Sequence, residues 1–191
     1  MSVPTDHLEE DTGKPAAPLL TQTVIVWDPL VRIAHWLLVI TVLLAYFLPA
    51  GRSLIHETAG YAVAAIVALR VVWGWIGSPY ARFSQFVAGP AALLAYLGAM
   101  LQRREPRVLG HNPAGAVMIV LLLALLAAIC ASGWLLIWQS LRDHRVLQEW
   151  HGRLSDGLMI AAVLHVIGVL YASLRHRENL FWSMLTGRKR S

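Results

Sequence analysis

Two histidines fourteen residues apart (165 − 151 = 14), His151 and His165, share one long apolar segment near the C-terminus. At about 100° and 1.5 Å per residue, fourteen helical steps return a side chain to nearly the same face, about 21 Å along the axis. A bilayer core is about 30 Å thick, so one spanning helix would present two imidazoles to the same side, near opposite membrane faces. His35 and His56 stand near the openings of two other apolar segments. Polar side chains inside a membrane are costly and usually functional. Neutral imidazole is a good iron ligand, and four imidazoles at two depths match the need of two bis-histidine haems. A zinc or copper site would gather its ligands at one level, often with Cys or carboxylate. A lone intramembrane His could instead relay protons or hydrogen-bond within the packing.

The composition sets the medium. Of 191 residues, 57% are hydrophobic and only 14% charged, against about 25% charged in soluble proteins. Eight Trp, mostly near segment ends, suit an interfacial aromatic belt. The length allows one compact bundle. A single Cys, Cys130, excludes an internal disulfide and the CxxCH attachment of c-type haem, so any haem is held non-covalently. The net charge of +5 comes from basic residues flanking apolar spans, which membrane topology explains better than nucleic acid does.

The elements that must position the histidines follow from caps and apolar runs. Residues 1–26 are polar, hold Pro4, Pro15 and Pro18, lack the apolar core of a signal peptide, and read as a flexible tail. Asp28 can cap a helix with Pro29 in its first position, opening a first span over 30–48 that Pro49-Ala50-Gly51 ends. A second span is expected over about 53–77, antiparallel to the first. The connection 78–112 contains a short apolar stretch at 91–101, which is too short to span and reads as an interfacial helix. A third span, without ionisable groups, is expected over about 113–138, and a fourth over about 148–174. The expected fold is an all-α membrane protein: a four-transmembrane-helix bundle with an interfacial helix in the second-to-third connection. Its domain would cover 27–178, between a tail at 1–26 and a basic tail at 179–191.

Counting Lys and Arg orients it. Lys14, Arg32, Arg82, Arg103, Arg104, Arg107, Arg175, Arg177, Arg188, Lys189 and Arg190 (eleven) lie on one side, and Arg52, Arg142, Arg145 and Arg153 (four) on the other. The positive-inside rule then puts both termini in the cytoplasm. Depth pairs the ligands. His35, seven residues after Asp28, and His165, about ten before its helix ends, share the inner level. His56 and His151 both follow helix starts on the outer side. Gly60, Gly152 and Gly168 near the ligands would let a flat macrocycle approach, although such glycines also serve ordinary helix packing.

Haem propionates are anionic. Arg70, fourteen residues after His56, returns to that face at the inner level and could neutralise one; otherwise it snorkels to the interface. Arg52 and Arg153 could do the same at the outer level, or be ordinary solvated flanks. His111, in His111-Asn112-Pro113, caps the third span or contacts a quinone or propionate. His7, His144 and His176 read as solvated.

These residues resemble a family. Trp27-Asp28-Pro29-Leu30-Val31-Arg32 with His35-Trp36, His56-Glu57 with Gly60-Tyr61, Gly110-His111-Asn112-Pro113 with Gly115, Glu149-Trp150-His151, Leu164-His165-Val166 and His176-Arg177-Glu178-Asn179-Leu180 together resemble the bacterial di-haem cytochromes b that include cytochrome b561 and the cytochrome b subunit of nickel–iron hydrogenase. The resemblance covers about 24–190. It implies a four-helix bundle in the bacterial cytoplasmic membrane, with two haem b held by His35, His56, His151 and His165. It also implies electron exchange with the quinone pool and with a redox partner protein, such as a dehydrogenase, a hydrogenase subunit or a cytochrome c. The competing expectation is a stand-alone superoxide:quinone oxidoreductase, which would want a cationic funnel at the outer haem, with Arg52, Arg142, Arg145 and Arg153 as its candidates. A non-redox carrier of haem or metal would need an exchangeable site, which tight bis-histidine ligation argues against.

Overall fold

A computed structural model of the chain describes residues 23–48, 54–138 and 144–190. In chain order its elements are β1 (Thr23–Ile25), α1 (Pro29–Phe47), α2 (Leu54–Ile76), a 3-10 turn at Pro79–Ala81, α3 (Phe83–Phe86), α4 (Pro90–Leu101), α5 (Pro113–Ile137), α6 (Arg145–Arg175), α7 (Leu180–Thr186) and β2 (Arg188–Arg190). Helices α1, α2, α5 and α6 are long and apolar enough to cross a membrane.

Side chains start these helices where the sequence offers them. Asp28 accepts from the Val31 amide at 2.9 Å, with Pro29 next. Asn112 accepts from the Gly115 amide at 2.7 Å, with Pro113 next. Each cap satisfies an amide that has no partner within the helix. α6 begins at Arg145, three residues before the expected start, because His144 accepts from the Leu147 amide at 3.4 Å.

The four long helices have 19, 23, 25 and 31 residues, or about 28 to 46 Å at 1.5 Å per residue. Only α6 greatly exceeds a core of about 30 Å. Its Arg145, Glu149, Arg153 and Asp156 all precede the uncharged run 157–174, so the surplus length projects at the end where α6 starts. α1 packs on α2, α2 on α5 and α5 on α6. The interior is thin, centred on Val63, Val67, Leu126 and Leu158. Large apolar side chains face outward instead: Ile40 is 55%, Leu170 57% and Trp75 74% exposed. Lipid tails are the matching solvent for that surface, and closed helices leave no backbone group unpaired in it.

The expected short helix is present as α4, packed on α5. The chain on either side of the bundle is more ordered than tails would be. β1 pairs antiparallel with β2, Thr23 opposite Arg190 and Ile25 opposite Arg188. Gly187, at φ 81°, turns the chain back after α7, and its carbonyl accepts from the Val26 and Trp27 amides at 2.8 and 3.1 Å. A glycine takes this left-handed conformation at little cost. The bundle therefore has a termini end, where β1 meets β2, and a far end, where α2 and α6 begin.

Candidate functional site

At the far end, His56 in the first turn of α2 and His151 in the second turn of α6 face each other. Their ring centroids are 6.1 Å apart and their planes 70° apart. His56 Nδ1 lies 3.0 Å from the Ala45 carbonyl of α1. His151 Nδ1 lies 2.9 Å from Ser132 Oγ of α5, and that hydroxyl donates to the Ile129 carbonyl at 2.9 Å. With the Ser132 proton on the Ile129 carbonyl, its oxygen accepts from His151 Nδ1–H, the tautomer that frees Nε2. Both anchors leave Nε2 as the free nitrogen, the arrangement that orients metal-ligating histidines. Two imidazoles bound to opposite sides of one metal, each about 2 Å from it, have centroids about 6 Å apart. His56 and His151 therefore stand at the spacing that two imidazoles holding one metal between them would need.

A cavity of about 260 Å³ opens between these rings, walled by Gly60, Ala64, Gly133, Leu126 and Leu158. A Cβ at Gly133 would stand 3.1 Å from His151 Cε1, so a side chain there would press on the ring unless it shifted by a few tenths of an ångström. Among the described residues, no three His, Cys, Asp or Glu gather to hold a metal ion. A two-ligand axial site fits this geometry, and a zinc-type cage does not.

The termini end is built differently. His35 of α1 lies within electrostatic reach of His165 of α6, and His165 within reach of His111. The partly buried His111 ring sits between Trp27 and Phe86, at 4.6 and 4.7 Å between centroids. Burial, then Arg70, Lys189 and His165, push its pKa down to about 3, so it is neutral at ordinary pH. Arg70 lies 5.4 Å over the Phe83 ring and donates to the Ala81 carbonyl at 3.3 Å. Lys189 of β2 lies 5.3 Å over the Trp27 ring and is only 6% exposed. Asp28 ties this end together, accepting from Trp73 Nε1 at 3.0 Å and from Ser78 Oγ. Burial opposes ionisation of Asp28, but hydrogen bonds from Ser78, Val31, Trp73 and Leu30 outweigh it and hold the carboxyl below its ordinary range.

Three buried nitrogens here have no hydrogen-bond partner: His35 Nδ1, His111 Nδ1 and Arg32 Nε. Buried polar atoms without partners are uncommon, and each calls for a cause. Glu105 Oε2 at the same end is also unpartnered, while His111 Nδ1 and Arg32 Nε, near Arg70 and Lys189, suit a group carrying anionic oxygens.

His35, His56, His151 and His165 therefore fall at two levels, with His111 and Arg70 at the termini end. Arg153 does not line the far-end cavity; it pairs with Glu149 at 3.7 Å, one turn away on the exposed face of α6. Arg52 lies outside the described residues. Of the three glycines expected to admit a macrocycle, Gly60 lines the cavity, and Gly152 and Gly168 do not. Sequence reasoning passed over Ser132 and Gly133, although Ser132 is a rare hydroxyl in an otherwise apolar span. It also passed over Lys189, hidden in a basic run, and over Asp156, whose carboxylate accepts from Tyr46 OH at 2.9 Å across α1 and α6.

Among curated proteins and solved structures, none matches the chain. The prokaryotic cytochrome b561 family matches it over residues 26–187, from the residue before Trp27 to Gly187. That span includes all four histidines of the two levels, and the chain belongs to this family of membrane b-type haem cytochromes that transfer electrons.

Proposed function

We propose that the chain is a di-haem cytochrome that carries electrons across the bacterial cytoplasmic membrane, between the quinone pool and a redox partner protein. On this reading His56 and His151 hold one haem at the far end, and His35 and His165 hold the second at the termini end. Each haem supplies one-electron iron chemistry. The protein's part is to fix the imidazoles, exclude water with the apolar walls of the bundle, balance propionate charge with Arg70, and offer a hydrogen bond from the neutral His111. The observation that carries this reading is the far-end pair: rings 6.1 Å apart, each with Nδ1 anchored and Nε2 free. The fourteen-residue repeat from His151 to His165 supports a second site about 21 Å further along the same helix. Both termini, and with them the Arg70 end, face the cytoplasm on the eleven-to-four basic count.

The stand-alone superoxide:quinone oxidoreductase is less favoured. An anionic substrate would want a cationic approach, yet Glu57 lines the far-end cavity and Arg153 is engaged by Glu149. The pyridine haemochrome ratio of the purified protein tests the main reading. A value near two haems per chain is expected, and a value near one or zero overturns it.

A further inference from the structure

Lys189 is a buried lysine whose ammonium makes no direct ion pair among the described residues. It lies on a three-residue strand beyond the last helix, 6% exposed, with its ammonium 5.3 Å from the Trp27 ring centroid. Among the described residues its Nζ makes no hydrogen bond or ion pair. The nearby carboxylates are committed elsewhere. Glu178, within electrostatic reach of Lys189, pairs with Arg107 at 3.1 Å, and Asp28 holds the α1 cap, Trp73 and Ser78. Burial lowers the Lys189 pKa, with Glu178 opposing and Arg107 adding to the fall. Taking an ammonium out of water costs several kcal/mol unless a counter-charge meets it. The same neighbourhood holds the unpartnered His111 Nδ1 and Arg32 Nε, together with Arg70. The carboxylates at this end, Asp28, Glu105 and Glu178, make their direct contacts to other groups, and none pairs directly with the Lys189 ammonium.

We infer that Lys189 is a cofactor-binding residue whose ammonium pairs with a propionate carboxylate of the haem between His35 and His165. The inference rests on that haem being present, and it extends the cofactor site to a strand outside the helical bundle. β2 is placed by its pairing with β1, by the left-handed turn at Gly187, and by the Arg32 guanidinium, which donates to the Leu185 carbonyl beside that turn. Together these set Lys189 beneath Trp27, the residue that stacks on His111. A cation beside a haem stabilises the reduced form, which carries one positive charge fewer, and so raises the reduction potential.

The test uses wild type, Lys189→Met and Lys189→Arg, purified with haem and held in lipid nanodiscs, by spectroelectrochemistry and redox-difference infrared spectroscopy with 13C-labelled haem propionates. Lys189→Met should lower the potential of the component that His165→Ala removes and leave the other unchanged. It should also shift the labelled carboxylate band, and Lys189→Arg should restore both. Loss of the termini-end component in Lys189→Met but not in Lys189→Arg counts equally in favour. An unmoved potential and propionate band overturn the inference, as does an equal shift of both components or loss of the component in both variants. A shift seen only in anionic-lipid discs, with the propionate band fixed, makes a lipid phosphate the partner and overturns it too. Absence of a second component from wild type overturns the underlying two-haem reading instead.

Discussion

At the far end, His56 and His151 each commit Nδ1 to an acceptor inside the bundle, the Ala45 carbonyl and Ser132 Oγ. At the termini end, His35 and His111 leave Nδ1 without a partner. The surroundings differ in the same sense. The far-end rings open on a cavity walled by apolar side chains and glycines, with Glu57 the charged residue on its wall. The termini end gathers Arg32, Arg70 and Lys189 around aromatic rings and closes over with α7 and the small sheet. The chain anchors both imidazoles at one end by itself, and leaves polar atoms without partners at the other. On the proposed reading, the difference in surroundings sets two sites on one helix to different potentials. Donation from Nδ1–H raises a ligand's basicity and favours oxidised iron, whereas nearby cations favour reduced iron. On the proposed reading the termini-end haem has the higher potential.

The largest test is removal of a ligand. His151→Ala should lower the haem-to-protein ratio from near two to near one and spare the higher-potential component; His165→Ala should do the reverse. If either variant empties both levels, the two ends are not separate sites and the comparison fails.

A smaller effect is expected from the two α5 residues beside His151. Gly133→Val places branched carbon where a single Cβ already stands 3.1 Å from the ring. It should displace the imidazole and change the electron paramagnetic resonance signal of the far-end haem alone. Ser132→Ala removes the Nδ1 acceptor without adding bulk, and such outer-shell losses weaken metal binding about 10–100-fold. The far-end potential should rise in Ser132→Ala, narrowing the gap between the two components. An unchanged gap would mean that the Ser132 contact does not tune the ligand.

The smallest effect concerns pH at the other end. The folded His111 pKa, about 3, lies below the ordinary value of 6.5. The unfolded chain therefore binds the proton first as pH falls. The stability contributed by neutral His111 is complete above about pH 6.5 and is lost as pH drops toward 3. The thermal midpoint should fall across that window, and His111→Phe, which keeps a ring between Trp27 and Phe86, should flatten the fall. An identical slope in the variant would show that His111 is not buried neutral.

Much of this was legible in the chain itself because lipid imposes strong rules. Spans expected at 30–48, 53–77, 113–138 and 148–174 are α1, α2, α5 and α6 with ends shifted by at most three residues. Asp28-Pro29 and Asn112-Pro113 mark two of the starts through a local hydrogen bond. The His151/His165 repeat needs only helical period. His144 is exposed, as expected, and its role as the α6 cap was not legible, since histidine is a weak cue for a helix start. Arg153 shows the limit of placement by depth, because the turn it shares with Glu149 aims it away from the cavity.

What the sequence by itself determined is the medium, the number of spans and the two levels of histidine, since apolar length and the 3.6-residue period are properties of a segment alone. What only the tertiary structure decided is which neighbours meet each imidazole. Ser132 reaches His151 because α5 packs on α6, and Lys189 reaches Trp27 because a three-residue strand crosses the fold to pair with β1. Neither contact leaves a local trace, because partners 19 and 162 residues apart (151 − 132 and 189 − 27) are joined by packing rather than by periodicity.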